Sequence, residues 1–592
     1  MPETYASRSS TLCEAFQATI QRNPDKIAVR SVGGATTLTF REWGEQVRRL
    51  AAGFSALGVR RGDTVALMMA NRPEFYPVDV ALQHLGATPF SIYNTSAPEQ
   101  IRYLLTDSEA RMVVCDENYT AQINAATAGT SVRHVIRTDG DAGDLPTLAD
   151  LAATVAPADF EFESTWRAVR PDDVLTLIYT SGTTGDPKGV QLTHANMLAM
   201  VDGTEQMAQA GPDERVISFL PSAHVADRWS ALYTLSVLGN QVTTVADRKD
   251  FAAALVEVGP TVLGAVPQVW QKLKAAVDQR VDEATGVRAV LARWAIGTGQ
   301  RASNRRLSGR PVSWDLELQA RIADALVLSK LRNALGLNDI KLALSGAAPI
   351  SADVLRFFNG LGIPVCDAWG MSELSGMATM SPPGRVRLGT VGTIVPGSRL
   401  RIAADGEVLV SGPIVMKGYL NKPEQTAETI DAEGWVHTGD IGELDADGYL
   451  RIVDRKKELI INAGGKNMSP SNIENRIKAH APLIGQAVAI GDDRKYNVAL
   501  ISLDPDSAAA FAEKHGLAAD PAVLAKDSRV RTLVEQAVER ANAELSRVEQ
   551  IKKFTIVADF WEPGSAELTP TMKLRRKPIS ERYATAIEAM YS

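Results

Sequence analysis

The segment YTSGTTGDPKGV, residues 179–190, concentrates groups that can bind an anion: three glycines, four serine or threonine hydroxyls and one lysine. Glycines let a backbone approach a ligand closely, and amide, hydroxyl and ammonium groups donate hydrogen bonds, so the segment predicts a phosphate site. It does not match the P-loop template, because Pro187 takes the second glycine position counted from Gly182, and Gly189 follows Lys188. A plain glycine-rich turn is the alternative for this segment taken alone.

The neighbouring residues favour the phosphate site. Residues 174–180 have the pattern of a buried strand, and residues 193–201 have the pattern of a helix. A strand, a loop and a helix in that order aim the backbone amides of the loop at a ligand. We therefore expect the helix to follow the loop.

Composition limits the classes of function. The chain has 592 residues and a net charge of −7, so we expect more than one domain and no nucleic-acid partner. The three cysteines form no CxxC pair, which favours a reducing, cytoplasmic location. The N-terminus has no signal-peptide pattern, and the longest uncharged run, residues 229–246, reads as a buried helix and a strand. Scattered histidines and the absence of GxSxG give no metal or α/β-hydrolase signal.

From the N-terminus to about residue 400, β-type runs alternate with helical segments. This alternation predicts an α/β fold with doubly wound parallel sheets and helices on both faces. Ligands of such sheets bind at the carboxyl ends of the strands. The runs are 64–70, 110–116, 215–221, 241–246, 261–267 and 341–346.

Three later regions depart from the alternation. Residues from about 280 to 335 read as a helical insertion, whose basic face is either solvated surface or a peripheral membrane contact. Residues from about 386 to 455 carry short strands and DG or EG turns, typical of a small β-barrel or sheet. Ser469 as N-cap and Pro470 in the first turn begin a new helix. We therefore place a domain boundary near 455, with a large domain 1–455 and a small α+β domain 456–592.

Four motifs together resemble the adenylate-forming enzymes, which include acyl-CoA synthetases, luciferases and peptide-synthetase adenylation domains. The resemblance covers about residues 40 to 580, and the block 433–457 is similar to the signature of fatty-acyl-CoA synthetases. The chain departs from the usual family pattern at Glu433, Ala446 and Met572, where aspartate, proline and glycine are common. The motifs are YTSGTTGDPKGV, DAWGMSE (367–373), EGWVHTGDIGELDADGYLRIVDRKK (433–457) and LTPTMKLRRK (568–577).

The resemblance assigns most of the quoted residues to ATP. The loop would hold the β- and γ-phosphates, Trp369 would stack on adenine, and Asp440 would accept both ribose hydroxyls. Glu373 would coordinate Mg²⁺, whose hard charge suits carboxylate and phosphate oxygens. The residues expected at ATP or AMP are Thr180, Ser181, Gly182, Thr183, Thr184, Lys188, Gly346, Ala347, Ala348, Asp367, Trp369, Gly370, Ser372, Asp440 and Arg455.

The resemblance also names catalytic and CoA-binding residues. Lys573 would reach the α-phosphate and the carboxylate and stabilise the charge of the adenylation transition state, with Glu373 and His224 beside it. The small domain would then rotate about a hinge at Lys457, withdraw Lys573 and admit the thiol of CoA. The residues expected near CoA are Gly464, Gly465 and Lys466.

The implied activity is that of a long-chain fatty-acid–CoA ligase, which makes acyl-AMP from ATP and then acyl-CoA. Two alternatives stay open: an adenylating enzyme with another acceptor, such as a free carrier protein, or a luciferase-like oxidation; and an inactive relative that binds acyl chains or nucleotides. Taken alone, Trp369 could be a core residue, Asp440 a turn cap and Lys573 a solvated lysine. The sequence predicts neither the preferred length of the acyl chain nor the oligomeric state.

Overall fold

The structure, a computed structural model, describes residues 4–140, 145–180, 186–463, 466–569 and 572–592. Strands and helices alternate over most of the N-terminal two thirds of these residues. The strands are β1 Ile27–Ser31, β2 Thr37–Thr39, β3 Thr64–Met68, β4 Thr88–Ser91, β5 Met112–Cys115, β6 His134–Arg137, β7 Val174–Thr180, β8 Lys188–Thr193, β9 Arg215–Ser218, β10 Gln241–Thr244, β11 Val262–Ala265, β12 Leu342–Ser345, β13 Val365–Trp369, β14 Thr379–Met380, β15 Thr393–Ile394, β16 Arg399–Ile402, β17 Glu407–Ser411, β18 Gly418–Tyr419, β19 Val436–Leu444, β20 Leu450–Arg455, β21 Ile460–Ile461, β22 Asn467–Met468, β23 Ile484–Ile490, β24 Asn497–Leu503 and β25 Ile551–Ile556.

The helices range from single turns to a helix of 22 residues. They are α1 Leu12–Arg22, α2 Phe40–Ala56, α3 Phe75–His84, α4 Pro98–Asp107, α5 Thr120–Thr127, α6 Leu148–Ala153, α7 Phe162–Arg167, α8 His194–Ala208, α9 Val225–Asp227, α10 Thr234–Leu238, α11 Phe251–Val258, α12 Pro267–Glu283, α13 Gly286–Leu307, α14 Trp314–Ala323, α15 Ser329–Ala334, α16 Ala352–Gly360, α17 Pro423–Thr429, α18 Pro470–Ala479, α19 Pro505–His515, α20 Pro521–Leu524, α21 Ser528–Glu544, α22 Arg576–Arg582 and α23 Ala584–Tyr591.

Two sheets contain most of the parallel strands. The larger has nine strands in the order β15-β14-β13-β12-β11-β9-β10-β1-β2, and the run from β13 to β1 is parallel. The smaller, β4-β3-β5-β6, is parallel throughout. Each of the six β runs quoted from the sequence contains one of these strands, because buried parallel strands are continuously apolar. The predicted α/β fold with parallel sheets is confirmed.

The later sheets are antiparallel or mixed. Strands β16-β17-β19-β20 form an antiparallel sheet whose edge strands β16 and β20 do not pair with each other among the described residues. Of the barrel and the sheet, the structure has the open sheet. Strands β23-β24-β25 pack against α18 and α21, which gives an α+β arrangement after residue 455. Ser469 accepts a hydrogen bond from the Asn472 amide and caps α18, as expected.

The surroundings of the glycine-rich segment differ from the prediction. β7 ends at Thr180, but residues 188–193 form β8, which pairs antiparallel with β7. The helix α8 begins only at His194, a strand length of about 20 Å beyond the loop. The expected order of strand, loop and helix is therefore wrong, because the loop connects two strands. Gly189 fits under the ring of Tyr179, since a Cβ there would lie 3.2 Å from its Cζ.

One buried ion pair fixes the continuous helical stretch 225–238 against the smaller parallel sheet. The side chain of Arg228 is fully buried and donates to Asp79 of α3 at 2.7 Å and to Ser91 of β4 at 3.0 Å. It also donates to the carbonyl oxygen of Ser222 and to the hydroxyl of Tyr233. A buried charge is tolerated only when its hydrogen bonds are satisfied, and the guanidinium of Arg228 donates to four acceptors at once.

We expect Asp79→Asn to destabilise the protein strongly, because it leaves the Arg228 charge buried without its counterion. Removing one partner of such a pair costs about 3 kcal/mol, so the midpoint of thermal unfolding should fall by roughly 3 °C.

The control is Asp278→Asn, which breaks the half-exposed pair with Lys274 and should change the midpoint by about 1 °C at most. Equal shifts for the two variants would contradict a structural role for the buried pair.

Candidate active site

A cavity of about 1780 Å³ lies between the nine-stranded sheet and the residues that follow position 455. Many of the residues singled out from separate motifs meet on its wall, although they lie up to 393 positions apart (573 − 180). Those that line it are Thr180, Lys188, His224, Gly346, Ala347, Trp369, Gly370, Ser372, Glu373, Arg455, Lys457 and Lys573.

The remaining predicted residues fall into two groups. Ala348, Asp367, Asp440 and Lys466 do not belong to the wall of the cavity, although Asp440 bonds to two residues that do. Lys466 is exposed, and its amide donates to the side chain of Asn462. Ser181, Gly182, Thr183, Thr184, Gly464 and Gly465 lie outside the described residues.

Tyr419 joins the glycine-rich segment to the DAWGMSE motif. Its hydroxyl donates to Glu373 Oε1 at 2.8 Å, and the Lys188 ammonium lies 4.8 Å from the centre of its ring. Lys188 itself stands opposite Thr180 in the β7–β8 pair. Sequence analysis did not identify Tyr419, because its part in the site depends on β18 pairing with β8. The Tyr419 side chain thus contacts a carboxylate through its hydroxyl and an ammonium through its ring.

Asp440 connects the aromatic residue of the predicted adenine site with the predicted ribose site. Trp369 Nε1 donates to Asp440 Oδ2 at 2.7 Å, and Arg455 Nε lies 2.9 Å from Oδ1. Asp440 and Arg455 are directly opposite in the β19–β20 pair, so the sheet register sets this contact. Burial raises the pKa of Asp440, while Arg455 and Trp369 act against that rise. Each oxygen has a second lone pair for another donor.

The hydrogen bond of His224 defines its tautomer. Its Nδ1 accepts from the backbone N–H of Ala226 at 3.1 Å, so this nitrogen carries no proton. Burial and then the charge of Lys573 lower the pKa of His224 to about 4. The ring is therefore neutral near pH 7 with its proton on Nε2, where it can donate one hydrogen bond. A role as general base through Nδ1 is excluded by this arrangement.

Lys573 faces charged groups from both halves of the chain. Its side chain is accessible to the water of the cavity, yet the surrounding protein lowers its pKa, with burial first and the charge of Arg455 second. Asp440, Glu373 and Glu458 act in the opposite direction. The C-terminal lysine thus lies within electrostatic reach of the residues predicted to hold ribose and Mg²⁺.

Backbone pairing holds Lys573 at the cavity wall. Leu568 and Leu574 form an antiparallel bridge, and the amide of Thr569 donates to the carbonyl oxygen of Lys573 at 2.9 Å. Met572 has a φ of 66°, in the left-handed region where residues other than glycine are strained. This geometry explains physically why glycine suits position 572, and why methionine there is a departure with an energetic cost.

Lys457 lies in an exposed turn between two anchored neighbours. On one side, the Lys456 ammonium pairs with Asp405 at 2.5 Å. On the other side, Glu458 accepts from Arg576 at 3.0 Å. The residue predicted as hinge therefore separates a position held by the β16–β20 sheet from one held by α22. Its role as hinge stays a prediction.

Few of the described contacts that bridge the segments before and after Lys457 are ionic. Asp454 accepts hydrogen bonds from the hydroxyls of Ser469 and Ser471, at the start of α18. Lys272 of α12 pairs with Asp506 of α19 at 2.6 Å, and both side chains are exposed. These contacts hold the C-terminal residues over the cavity in the arrangement that the structure describes.

An apolar arm of the cavity runs along one face of the nine-stranded sheet. Alternate residues of neighbouring strands face it, as the pleat of a sheet requires. Gly264 lies in the middle of this face, and a Cβ added there would meet no atom within 4 Å. Opposite the sheet, the stretch 225–238 supplies Trp229 and Leu238. The sheet side includes Val216, Val262, Gly264, Leu342 and Leu344.

Two findings in the described residues concern metal ions and membranes. Within residues 4–140, 145–180, 186–463, 466–569 and 572–592, no group of three or more His, Cys, Asp or Glu side chains is placed to hold a metal ion. None of the helices in those ranges is both long and apolar enough to cross a bilayer.

Comparison with known proteins gives two family matches that together span most of the chain. The family described as "AMP-binding enzyme" matches residues 16–420, and the family described as "AMP-binding enzyme C-terminal domain" matches residues 457–592. The chain is 37% identical over 587 residues to the long-chain-fatty-acid–CoA ligase FadD15 of Mycobacterium bovis, which covers 96% of this chain and 95% of that one. It is 53% identical over 447 residues to a Mycobacterium tuberculosis protein, fadD11, named among the fatty-acid–CoA ligases, covering 75% and 78%.

The fold is also similar to solved structures. One is the anthranilate CoA ligase AuaEII in complex with anthranoyl-AMP, with a TM-score of 0.72 and 17% identity, covering 98% of this chain and 99% of that one. At this identity the similarity concerns the fold alone. The resemblance to adenylate-forming enzymes expected from the motifs is confirmed by the family matches.

Proposed function

The chain belongs to the AMP-binding enzyme family, and from that premise we propose that it is an AMP-forming fatty-acid–CoA ligase. The observation that carries the proposal is one cavity whose wall holds the charged side chains Lys573, Glu373 and Lys188 and also the apolar face of the nine-stranded sheet. A charged centre suits a triphosphate and a carboxylate, and an apolar arm suits an alkyl chain. The names of the relatives support the same acid and acceptor.

In the proposed first step, a carboxylate oxygen of the fatty acid attacks the α-phosphorus of ATP, and the bond to pyrophosphate breaks. Lys573 stabilises the negative charge that grows on the α-phosphate, and His224 donates a hydrogen bond from Nε2 to an adjacent oxygen. Trp369 stacks on the adenine, while Asp440 orients the ribose through its remaining lone pairs. Lys188, with the residues of its loop, holds the departing pyrophosphate.

Glu373 fits the part of a Mg²⁺ ligand. The bond from Tyr419 occupies one side of one oxygen, so the carboxylate keeps coordination capacity. Mg²⁺ in nucleotide sites takes one or two carboxylates and fills its shell with phosphate oxygens and water. A single buried carboxylate beside the phosphate segment is compatible with that coordination. The ion would neutralise phosphate charge there.

The proposed second step transfers the acyl group from AMP to the sulfur of CoA. The residues after Lys457 rotate, withdraw Lys573 and bring Lys466 and the glycines before it towards the acyl-AMP. The division into residues 1–455 and 456–592, the CoA contacts and the cytoplasmic location stay predictions. A carrier-protein acceptor and an inactive binding relative are separated from this proposal by the requirement for CoA and by turnover.

Lys573→Ala should abolish acyl-AMP formation but largely spare thioester formation from supplied acyl-AMP and CoA. Loss of one preorganised charge stabiliser should slow adenylation by about 100-fold or more, as measured by ATP–pyrophosphate exchange with a fatty acid. The thioester half-reaction should stay within a few-fold of the wild-type rate.

Lys526→Ala is the matched control, because this exposed lysine of the same segment is not on the cavity wall. Equal losses in both half-reactions of the Lys573 variant would contradict the assignment of the lysine to adenylation.

Substituting Gly264 with a larger residue should shift the preference of the enzyme towards fatty acids with shorter chains. A side chain at this position enters the apolar arm, so Ala, Val and Leu should obstruct the chain in that order. Each CH₂ that loses its buried place costs about 0.8 kcal/mol, or roughly a factor of four in kcat/KM.

The measurement is kcat/KM for a series of saturated acids from short to very long, with the shortest acid as internal reference. The ratio of long to short acids should fall by about tenfold or more in the Val and Leu variants. A uniform loss at every length would contradict the placement of the alkyl chain along this strand.

We also propose that a peripheral membrane contact uses the exposed stripe Trp314, Leu318 and Ile322 of α14. Trp314 is 80% exposed, and exposed arginines at 305 and 310 lie nearby along the chain in a protein of net charge −7. An apolar stripe beside local positive charge complements an anionic lipid surface.

Trp314→Glu with Leu318→Glu should lower sedimentation with phosphatidylglycerol vesicles several-fold and leave the weak sedimentation with phosphatidylcholine unchanged. Val155→Glu, at another exposed apolar side chain, is the control. Binding that is the same for all three proteins would exclude this surface.

A further inference from the structure

The apolar arm of the cavity ends in polar groups. Glu214 and Asn240 line the same cavity as Val216 and Gly264, at the amino ends of β9 and β10. The charged residues of the cavity, which include Lys573 and Glu373, lie towards the other end of these strands. A strand of four residues is about 13 Å long. The two polar residues are therefore placed to meet the distal part of an acyl chain and not its carboxylate.

Sheet geometry holds the two residues side by side. The amide of Gln241 donates to the carbonyl oxygen of Glu214 at 2.9 Å, and Gln241 stands opposite Arg215 in the parallel β9–β10 pair. Asn240 and Glu214, one residue earlier on each strand, are therefore neighbours about 4.8 Å apart along the direction of the backbone hydrogen bonds. Their side chains continue the face to which Val216 belongs.

Neither side chain is fully satisfied. Asn240 is 1% exposed, and among the described residues both of its amide atoms, Oδ1 and Nδ2, have no hydrogen-bond partner. Glu214 is 7% exposed; its Oε1 accepts from the ammonium of Lys341 at 2.9 Å, whereas its Oε2 has no partner among those residues. Buried amides and carboxylates without partners are uncommon in folded proteins, and they point to a ligand that supplies the bonds.

We propose that Asn240 and Glu214 form a distal subsite for a hydroxyl group on the acyl chain, so that the preferred substrates include hydroxy fatty acids. A hydroxyl donates one hydrogen bond to Glu214 Oε2 and accepts one from the Asn240 amide, which uses both kinds of unpartnered atom. A ketone can only accept, and a second carboxylate meets the negative charge of Glu214. The order of preference at this end is hydroxyl, then carbonyl, then carboxylate. The inference rests on the proposed function, because it concerns the substrate of the same cavity.

The test compares ω-hydroxy acids with their unsubstituted parents at each chain length from 8 to 18 carbons. The readout is the ratio of kcat/KM values for the two acids, measured by AMP release in the presence of CoA. At one or two neighbouring lengths, the hydroxy acid should be preferred by about two- to tenfold, the range of a net buried hydrogen bond. At other lengths the hydroxyl meets apolar wall, and the parent should be preferred.

Variants assign the preference to this end of the arm. Asn240→Leu keeps the approximate volume and removes the amide, so the preference should disappear. Glu214→Gln removes the charge and should raise the relative rate with ω-carboxy acids. Trp229→Phe removes another unpartnered N–H of the cavity wall, next to Gly376, and should keep the hydroxyl preference.

Three outcomes overturn the inference. A hydroxy acid that is poorer than its parent at every length in the wild-type protein means that water satisfies the polar end, and this result does not depend on the folding of any variant. A preference that survives in both Asn240→Leu and Glu214→Gln places the hydroxyl elsewhere. Absence of turnover with every acid removes the proposed function and the inference together, whereas turnover with the parents alone removes only the inference.

Discussion

The buried pair of Arg228 and Asp79 is the contact on which the geometry of the cavity depends most. It fastens the helical stretch 225–238 to α3 and β4 of the smaller sheet, and that stretch is the wall opposite the nine-stranded sheet. A pair of buried charges adds little net stability over apolar packing, but it tolerates only one geometry. The width of the apolar arm and the position of His224 both follow from where this wall is held.

At the charged end of the cavity, neighbouring side chains fix one another's orientation. Trp369 donates a hydrogen bond to Asp440, Arg455 forms an ion pair with it, and Tyr419 donates a hydrogen bond to Glu373. These donors keep the carboxylates in fixed orientations before any ligand arrives, which lowers the reorganisation that a reaction would require. Lys573 comes from a different part of the chain and adds the charge that the fixed groups do not supply.

Local patterns in the sequence were sufficient to predict much of the fold. Continuous apolar runs identified the parallel strands, and Ser469 with Pro470 identified the start of α18, because these signals act within a few residues. β8 was missed because its side chains are recognised as a strand only when β7 and β18 lie beside it. Twelve of the residues predicted from the motifs line the cavity. Tyr419 and Asn240 carried no local signal, since their importance comes from neighbours far away in sequence.

The exposed turn at Lys457 divides the contacts of the C-terminal residues into those that would move with them and those that a rotation would break. Arg576 bonds only to Glu458 and Glu474 in the described contacts, and all three follow the turn, so they would travel as one body. A rotation about Lys457 would break the exposed ion pair of Lys272 and Asp506. It would also break the hydrogen bonds of Asp454 to the start of α18. An exposed ion pair is worth about 1 kcal/mol at most. The exposed pair therefore contributes little to holding the C-terminal residues in this position, whereas the hydrogen bonds to the buried carboxylate of Asp454 contribute more.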